Sequence, residues 1–184
     1  MVELRTQRLW LRPFVRSDAP CVRELAGDWA VARMLGDMPY PMEPRAAERY
    51  IRPQRGERML AIVLAGAVVG AVSYFRTEKQ SAELGFWLGR PWWGQGLAVE
   101  AAAAVVAYGF GRDRLRSFTS GHFLDNPGSA RVLEQLGFRA VGSAEVWAKS
   151  RGAWVASVRH RLDRPGAEDT PRRAMSWLGR ATMI

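Results

Sequence analysis

Residues 82–110 read AELGFWLGRPWWGQGLAVEAAAAVVAYGF, and they contain a strand, a glycine turn and a helix in direct succession. Residues 84–88 are an apolar run of strand length, and Gly94 and Gly96 form the turn. After the turn, apolar residues recur at three- and four-residue spacing, which predicts a helix. The first backbone N–H groups of such a helix lack internal partners, and its dipole adds roughly half a positive charge there. Because glycine carries no Cβ, a phosphate can approach this backbone, so the stretch predicts an anion site.

The glycine pattern narrows the kind of phosphate ligand. A dinucleotide-binding fingerprint requires a third glycine where Val99 stands, and a P-loop requires a Gly-Lys-Ser/Thr triplet that is absent here. Taken alone, the turn is also compatible with an ordinary connection between a strand and a buried helix. Trp93-Gly94-Gln95-Gly96-Leu97-Ala98 resembles the Arg/Gln-x-x-Gly-x-Gly/Ala pyrophosphate loop of the GCN5-related N-acetyltransferase (GNAT) superfamily. With Glu100-Ala101 following, it is most similar to the RimJ/RimL-like branch, which acetylates ribosomal proteins.

Two further segments carry the same resemblance. Residues 126–138, NPGSARVLEQLGF, resemble the second signature of the superfamily, Asn-x-x-Ser followed by Leu-x-x-x-Gly-Phe. Asn126 is also a favourable helix N-cap, and Pro127 stands at the first helical position. Thr6-Gln7-Arg8-Leu9-Trp10-Leu11-Arg12 resembles the Thr-x-Arg-Leu-x-Leu-Arg opening of the same branch. Several linked motifs are more specific than one glycine turn.

The composition is typical of one globular domain. The chain has 184 residues, 48% of them hydrophobic, which is enough for a sizeable core. The single cysteine, Cys21, excludes a disulfide framework or a CxxC metal site and favours a cytoplasmic protein. No signal peptide is recognisable at the N-terminus. The net charge of +9, almost all from arginine, suits nucleic acid, a membrane or a polyanion such as coenzyme A, but no nucleic-acid-binding motif is present.

The remaining chain alternates between helix and strand patterns. Helices are predicted from Ser17, over residues 29–35 and over residues 44–50. Residues 59–75 carry no charge, but their glycines and β-branched residues favour two strands that turn at Ala65-Gly66 over a membrane span. Later strands are predicted at residues 115–122, 140–149 and 154–162.

The resemblance covers about residues 4–162 and implies the fold. An α+β protein is expected, with a mixed, splayed sheet of six or seven strands and about four flanking helices. A single acetyltransferase domain over residues 1–163 is followed by a basic, flexible tail over 164–184, with a candidate helix near Trp177. The cofactor would lie where the strand at residues 84–88 splays from the strand at 115–122.

The resemblance implies acetyl-CoA as co-substrate and no metal. The backbone of residues 95–99 would bind the pyrophosphate, and the Leu88 N–H is the candidate donor to the thioester oxygen. Because Trp93 replaces the usual Arg or Gln, Arg90, Arg112 or another arginine would have to supply the missing phosphate contact. Asn126 and Ser129 would lie beside the cofactor, or would only cap their helix. The expected cofactor-binding residues are Phe86, Leu88, Gly94, Gln95, Gly96, Leu97, Ala98, Val99, Asn126 and Ser129.

Three residues are candidates for proton transfer. Glu83, half-buried beside the splay at the start of the central strand, would accept the ammonium proton directly or through water. It would otherwise be a solvated carboxylate or a ligand for the ammonium group of the substrate. His122 titrates in the useful range and is the alternative base. Leu133 stands where many relatives carry a tyrosine general acid, so Ser129, a water or the amine itself would have to protonate the departing thiolate.

The expected reaction is direct attack of a primary amine on acetyl-CoA in a ternary complex. The acceptor is a protein N-terminus or a small amine, and Trp29 and Tyr40 are candidate contacts to it. Two alternatives stay open: transfer of a longer acyl group such as succinyl, and a CoA-binding regulatory module without turnover. No membrane or nucleic-acid partner is expected, and a homodimer stays open.

Overall fold

The computed structural model describes residues 2–166 and the backbone of residues 182 and 183. Within them the chain forms five α-helices and nine β-strands. The helices are α1 (Ala19–Ala26), α2 (Trp29–Ala32), α3 (Pro44–Tyr50), α4 (Leu97–Gly111) and α5 (Pro127–Gln135). The strands are β1 (Leu4–Arg5), β2 (Leu9–Arg12), β3 (Glu57–Leu64), β4 (Ala67–Glu78), β5 (Ser81–Leu88), β6 (Ser117–Phe123), β7 (Arg139–Ala148), β8 (Ala153–Asp163) and β9 (Thr182–Met183).

The strands form one sheet in the order β7-β8-β6-β5-β4-β3-β2-β1-β9. All neighbouring strands pair antiparallel except β5 and β6, which are parallel. This parallel pair is short, because residues 81–83 of β5 lie opposite residues 117–119 of β6 and the pairing then ends. The sheet therefore opens between the two strands for which the sequence predicts a splay.

The predicted α+β class and mixed sheet are confirmed, but the counts of elements differ. Seven of the described strands have four residues or more, and the other two, β1 and β9, have two each. Strands this short give no alternation in the sequence. Strand β9 brings residues 182–183 of the predicted tail against β1. Residues 167–181, with the candidate helix near Trp177, lie outside the described residues.

The apolar segment 59–75 forms the hairpin of β3 and β4. Ala65 and Gly66 connect the strands with φ of 48° and 87°, and two left-handed residues are what a tight hairpin turn requires. The prediction of two strands is confirmed. Over residues 2–166 and 182–183, no helix is long and apolar enough to cross a membrane.

The first helix begins later than the sequence predicts. Ser17 lies in a 3-10 turn, and α1 follows it from Ala19. Asp18 stands at the N-cap position without a side-chain cap, because its carboxylate accepts bonds from the Arg12 guanidinium at 2.7 and 2.9 Å. The backbone N–H of Val15 donates to the same carboxylate at 2.8 Å. This ion pair fixes the entry of α1 against β2.

Helices cover both faces of the sheet. The largest apolar cluster lies between α4 and one face, and burying each large side chain there contributes roughly 1.5–3 kcal/mol. Helix α4 approaches β6 so closely that a Cβ on Gly109 would stand 2.5 Å from the ring of Phe118. A second cluster joins α1, α2 and α3 to the opposite face, where Trp87 of β5 packs among them. Helices thus flank the opening of the sheet on both faces.

Candidate active site

A cavity of about 460 Å³ occupies the opening between β5 and β6. Four parts of the chain line it: the α2 segment (residues 31–35, the end of α2 and the residues after it), β5, the glycine turn at residues 94–96 with the start of α4, and α5. Nine of the ten residues that the sequence predicts to bind the cofactor meet here. They are Phe86, Leu88, Gly94, Gly96, Leu97, Ala98, Val99, Asn126 and Ser129.

The glycine turn exposes the N-terminus of α4 to the cavity. Gly94 and Gly96 have φ of 75° and 73°, a conformation that side chains other than glycine rarely adopt. Gly96 is the N-cap residue, and no side chain in the described part of the chain caps the helix. The N–H groups of the first turn therefore remain available to an anion.

Gln95 is the predicted cofactor residue that does not line the cavity. Its side-chain amide donates to the Pro91 carbonyl at 3.0 Å, and its own carbonyl accepts a bond from Nη1 of Arg8 at 3.0 Å. Both polar ends of the residue are used to hold the turn. The sequence alone does not determine which groups of a turn point toward the ligand, so it could not predict that the Gln95 side chain and carbonyl point away from the cavity.

The backbone of β5 presents polar groups to the opening. The N–H of Gly89 donates to the carbonyl of Val69 at 2.9 Å, so this side of the strand end faces β4. Because backbone groups alternate along a strand, those of Phe86 and Leu88 point the other way, into the opening. The Leu88 carbonyl accepts a bond from Nε1 of Trp93 at 2.7 Å. That leaves the Leu88 N–H directed toward the cavity.

Asn126 both caps α5 and orients Ser129. The N–H of Ser129 donates to Oδ1 of Asn126 at 3.1 Å, and Nδ2 of Asn126 donates to the Ser129 hydroxyl at 3.0 Å. Because a backbone N–H can only donate, this pattern fixes which amide atom is oxygen. The Ser129 oxygen accepts, so its own O–H remains free to donate within the cavity.

Glu83 forms an ion pair outside the cavity. Its two carboxylate oxygens accept bonds from Nη1 and Nη2 of Arg159 on β8, at 3.1 and 2.9 Å. This bond raises the pKa of the Arg159 guanidinium. Glu83 shares a sheet face with Trp87, which packs against α1–α3. The sequence predicts a half-buried Glu83 carboxylate beside the opening, and in the structure this carboxylate is paired with Arg159.

His122 also lies outside the cavity, on the opposite face of the sheet beneath α5. Its ring lies 5.1 Å from that of His160, and its Nδ1 lies 2.9 Å from the Phe123 carbonyl. Burial lowers the pKa of His160. Side chains alternate between the two faces of a strand, so the position of His122 within β6 decides on which face its ring lies. The sequence alone did not define where β6 begins, so it could not assign that face.

The candidate acceptor contacts Trp29 and Tyr40 stack on each other instead of lining the cavity. Their ring centroids are 4.9 Å apart, and both side chains are exposed. The α2 segment lines the cavity with other side chains, which are Val31, Met34 and Leu35. Helix α2 ends at Ala32, earlier than the predicted residue 35, and the following residues turn back toward the opening.

Comparison with known proteins identifies the family. Residues 8–139 match the family described as acetyltransferase (GNAT) domain, and these residues are more than half of the chain. The chain belongs to the GNAT acetyltransferase family. The predicted superfamily and the prediction of an acyltransferase enzyme are therefore confirmed.

Three curated relatives share parts of the sequence. "Probable N-acetyltransferase YjcK" of Bacillus subtilis is 37% identical over 90 residues, which are 47% of this chain and 50% of that protein. An uncharacterized N-acetyltransferase of Bacillus licheniformis, p20, is 25% identical over 164 residues, or 84% of this chain and 92% of that protein. A ribosomal-protein-serine acetyltransferase of Escherichia coli is 33% identical over 88 residues, or 46% and 49%. The matches to the first and third span about half the length of those proteins.

Solved structures share the fold. A GNAT acetyltransferase from Bacillus anthracis superposes with a TM-score of 0.78 at 21% identity, over 88% of this chain and 98% of that one. The ribosomal-protein L7/L12 acetyltransferase RimL, in complex with coenzyme A, gives 0.75 at 21%, over 86% and 95%. A spermidine N-acetyltransferase from Vibrio cholerae, in complex with CoA and spermine, gives 0.73 at 19%, over 85% and 95%.

Of the arginines that the sequence offers for the missing phosphate contact, the two named ones, Arg90 and Arg112, do not line the cavity of this GNAT fold. Arg112 stands at the far end of α4, about 24 Å along the helix axis from Gly96. Arg90 pairs with Asp28 at 3.2 Å. Among the residues that the structure describes, the arginine that lines the cavity is Arg131 on α5. Its position could have been found only by asking which face of α5 meets the glycine turn.

Two other features concern proton transfer in the GNAT site, and the second was not predicted from the sequence. Leu133, at the family's usual tyrosine position, is fully buried, and no tyrosine lines the cavity within the described residues. Glu57 of β3 is half-buried, which raises its pKa, while a hydrogen bond with Ser73 opposes the rise. The register places Glu57 opposite Phe75, and Phe75 opposite Glu83, so both carboxylates share one face.

Proposed function

We propose that the protein transfers an acetyl group from acetyl-CoA to a primary amine by direct attack in a ternary complex. One observation carries the proposal: a single cavity joins the uncapped N-terminus of α4 to the free backbone of β5. The first suits a pyrophosphate, and the second suits an extended arm that carries a thioester. Relatives solved with coenzyme A, and in one case with spermine, support both substrates.

The residues present fit acetyl-CoA. Backbone N–H groups from Gly96 to Val99 would bind the pyrophosphate, and the Arg131 guanidinium at the edge of the cavity would add charge. The pantetheine arm would pair with the backbone of Phe86 and Leu88 in the opening. The Leu88 N–H would then donate to the thioester oxygen as negative charge develops there.

Proton transfer completes the reaction. The amine attacks the carbonyl carbon, the C–S bond breaks, and the thiolate takes a proton. Ser129 is the proposed donor, because its O–H is free and its oxygen is held by Asn126. The ammonium proton would leave through water to Glu83 or Glu57, since neither carboxylate lines the cavity.

The lining of the cavity favours a small neutral acyl group over succinyl. Its α2 end consists of Val31, Met34 and Leu35, and Trp87 closes it from β5. A terminal carboxylate would be buried there among apolar side chains without a cation. Among the described residues, Arg131 is the charged side chain that lines the cavity, and it lies on α5.

The proposal is tested by titrating the protein with acetyl-CoA in a calorimeter, together with Gly96→Glu. A Cβ on Gly96 would stand 3.6 Å from Nη2 of Arg8 and would strain the left-handed turn. The new side chain should therefore displace the turn that forms the proposed pyrophosphate site, so binding should be lost. Gly56→Glu is the matched control, because Gly56 has a similar φ of 83° and open space around it but lies before β3 and does not line the cavity. The control variant should bind acetyl-CoA normally, although it carries a comparable backbone strain. Absence of binding by the unaltered protein would refute the proposal.

The acceptor class follows from a second assay. Release of free CoA from acetyl-CoA should depend on an added primary amine, and peptides with free N-termini can be compared with polyamines. Hydrolysis without dependence on any amine would contradict a ternary complex. The cytoplasm is the proposed compartment, because the one cysteine gives no disulfide.

A further inference from the structure

The turn between β1 and β2, residues 6–8, is bonded to the first turn of α4. The Thr6 hydroxyl, the Arg8 backbone N–H and the Arg8 Nε–H all donate to the Glu100 carboxylate, at 2.6, 2.8 and 2.6 Å. Burial alone would raise the pKa of Glu100, but these bonds hold it below its usual range. Glu100 is therefore a charged carboxylate that accepts three bonds from one distant turn.

Arg8 also reaches the glycine turn. Its Nη1 donates to the Gln95 carbonyl at 3.0 Å. In a trans peptide the carbonyl and the following N–H point in opposite directions, so the Gly96 N–H points away from Arg8. The Gln95 side chain is held separately by the Pro91 carbonyl. The Arg8 bond thus fixes the peptide whose N–H belongs to the proposed phosphate site, and the second bond restrains the Gln95 side chain.

We infer that Arg8 and Glu100 are positioning residues for acetyl-CoA. Arg8 does not line the cavity, so it acts through the Gln95–Gly96 peptide and not by contact with the cofactor. Glu100 holds the guanidinium in place, and Arg8 neutralises the charge that Glu100 would otherwise present near a bound phosphate. The inference rests on the proposed function, because the turn needs a fixed orientation only if it binds the pyrophosphate.

The test compares Arg8→Ala with Arg5→Ala. Arg5 is an exposed residue of β1, and its guanidinium stacks on the Trp10 ring at 4.2 Å. Its loss therefore removes the same positive charge without removing a hydrogen bond to the glycine turn. Arg8→Ala should raise the Kd and KM for acetyl-CoA about tenfold, as expected for one lost charged hydrogen bond. The kcat at saturation and the KM for acetyl-pantetheine, which lacks the pyrophosphate, should not change. An equal effect of Arg5→Ala, or an equal effect on acetyl-pantetheine, would overturn the inference.

Glu100→Gln separates positioning from simple charge. Removing a negative charge near the phosphates should tighten acetyl-CoA binding if only electrostatics mattered. If Glu100 holds Arg8 in place, the variant should weaken binding, and the double variant with Arg8→Ala should be no weaker than the single ones. Tighter or unchanged binding by Glu100→Gln would refute the positioning role.

The two levels of the hypothesis fail differently. If the unaltered protein binds no acetyl-CoA, the proposed function is wrong. If it binds and the Arg8 and Glu100 variants bind equally well, only this inference is wrong. Thermal unfolding checks that each variant is folded. If Arg8→Ala does not fold, Arg8→Lys replaces it, because lysine keeps the positive charge but cannot bind Glu100 and the Gln95 carbonyl at the same time.

Discussion

The two ends of the cavity are both held by arginine–carboxylate networks, but the networks support different structures. At the glycine-turn end, Arg8 and Glu100 hold backbone, and the backbone of Gly94 and Gly96 lines the cavity. At the α2 end, Arg151, Asp125 and Arg33 hold a four-residue helix, and large apolar side chains line the cavity. The first arrangement suits a ligand group that never varies, and the second suits a group whose size must be selected.

The network at the α2 end joins α2 to the turn between β7 and β8. The Ser150 hydroxyl donates to the Ala32 carbonyl at 2.9 Å, and Nε of Arg151 donates to the Arg33 carbonyl at 2.6 Å. Arg151 and Arg33 also bind Asp125, whose pKa the Arg151 hydrogen bond holds below its usual range. We expect this network to set the distance between α2 and β5, and with it the room for the acyl group.

The largest effect should follow from Arg151→Ala. This side chain is mostly buried, and its removal leaves the Arg33 carbonyl without this donor and the Asp125 carboxylate with Arg33 alone, at a cost of about 2–3 kcal/mol of stability. The α2 wall should loosen, so kcat should fall about tenfold while the Kd for acetyl-CoA stays constant. Urea unfolding, kinetics and calorimetry measure the three quantities.

Arg161→Ala is the control for this prediction. Arg161 lies on the same strand pair but is exposed, and its ion pair with the exposed Asp163 should contribute little. A loss of acetyl-CoA affinity in Arg151→Ala equal to that expected for Arg8→Ala would show that the two ends do not act separately.

A smaller change should follow from Met34→Ala, which enlarges the α2 end. Propionyl-CoA should gain relative to acetyl-CoA in kcat/KM by about fivefold, because one additional methylene accommodated in an apolar site is worth about 1 kcal/mol. Met42→Ala removes the same side chain from the core outside the cavity, so it should reduce stability and leave this ratio unchanged. An unchanged ratio in Met34→Ala would mean that α2 does not bound the acyl group.

The same contrast explains what the sequence could reveal. The conformation of the glycine turn was predictable, because a left-handed backbone such as that of Gly96 requires a particular residue type. Asn126 was predictable for the same reason, since a helix N-cap is local. Glu57, Arg131 and Arg151 were not, because their roles depend on contacts between elements far apart in the chain. Glu83 was identified as a residue, but its pairing with Arg159 needs the register of β5, β6 and β8.

The smallest effect concerns pH. Glu100 and Asp125 have lowered pKa values, so their stabilisation persists above the unfolded carboxylate range and is lost only in stronger acid. His160, beneath α5 with His122 and Glu134 nearby, has a pKa that burial lowers from 6.5. As pH falls through 6.5 the unfolded chain binds the proton first, so the folded protein loses stability there.

We therefore expect the unaltered protein to lose up to about 1 kcal/mol of unfolding free energy between pH 8 and pH 5.5. His160→Phe should lose less over the same range, and its apolar ring should be tolerated because Nδ1 of His160 is buried without a hydrogen-bond partner in the described chain. Urea unfolding at the two pH values measures the difference. The Kd for acetyl-CoA should change equally in both proteins, because neither end of the cavity contains this histidine. If the two proteins lose the same stability, another group accounts for the pH dependence, and α5 is not sensitive to His160.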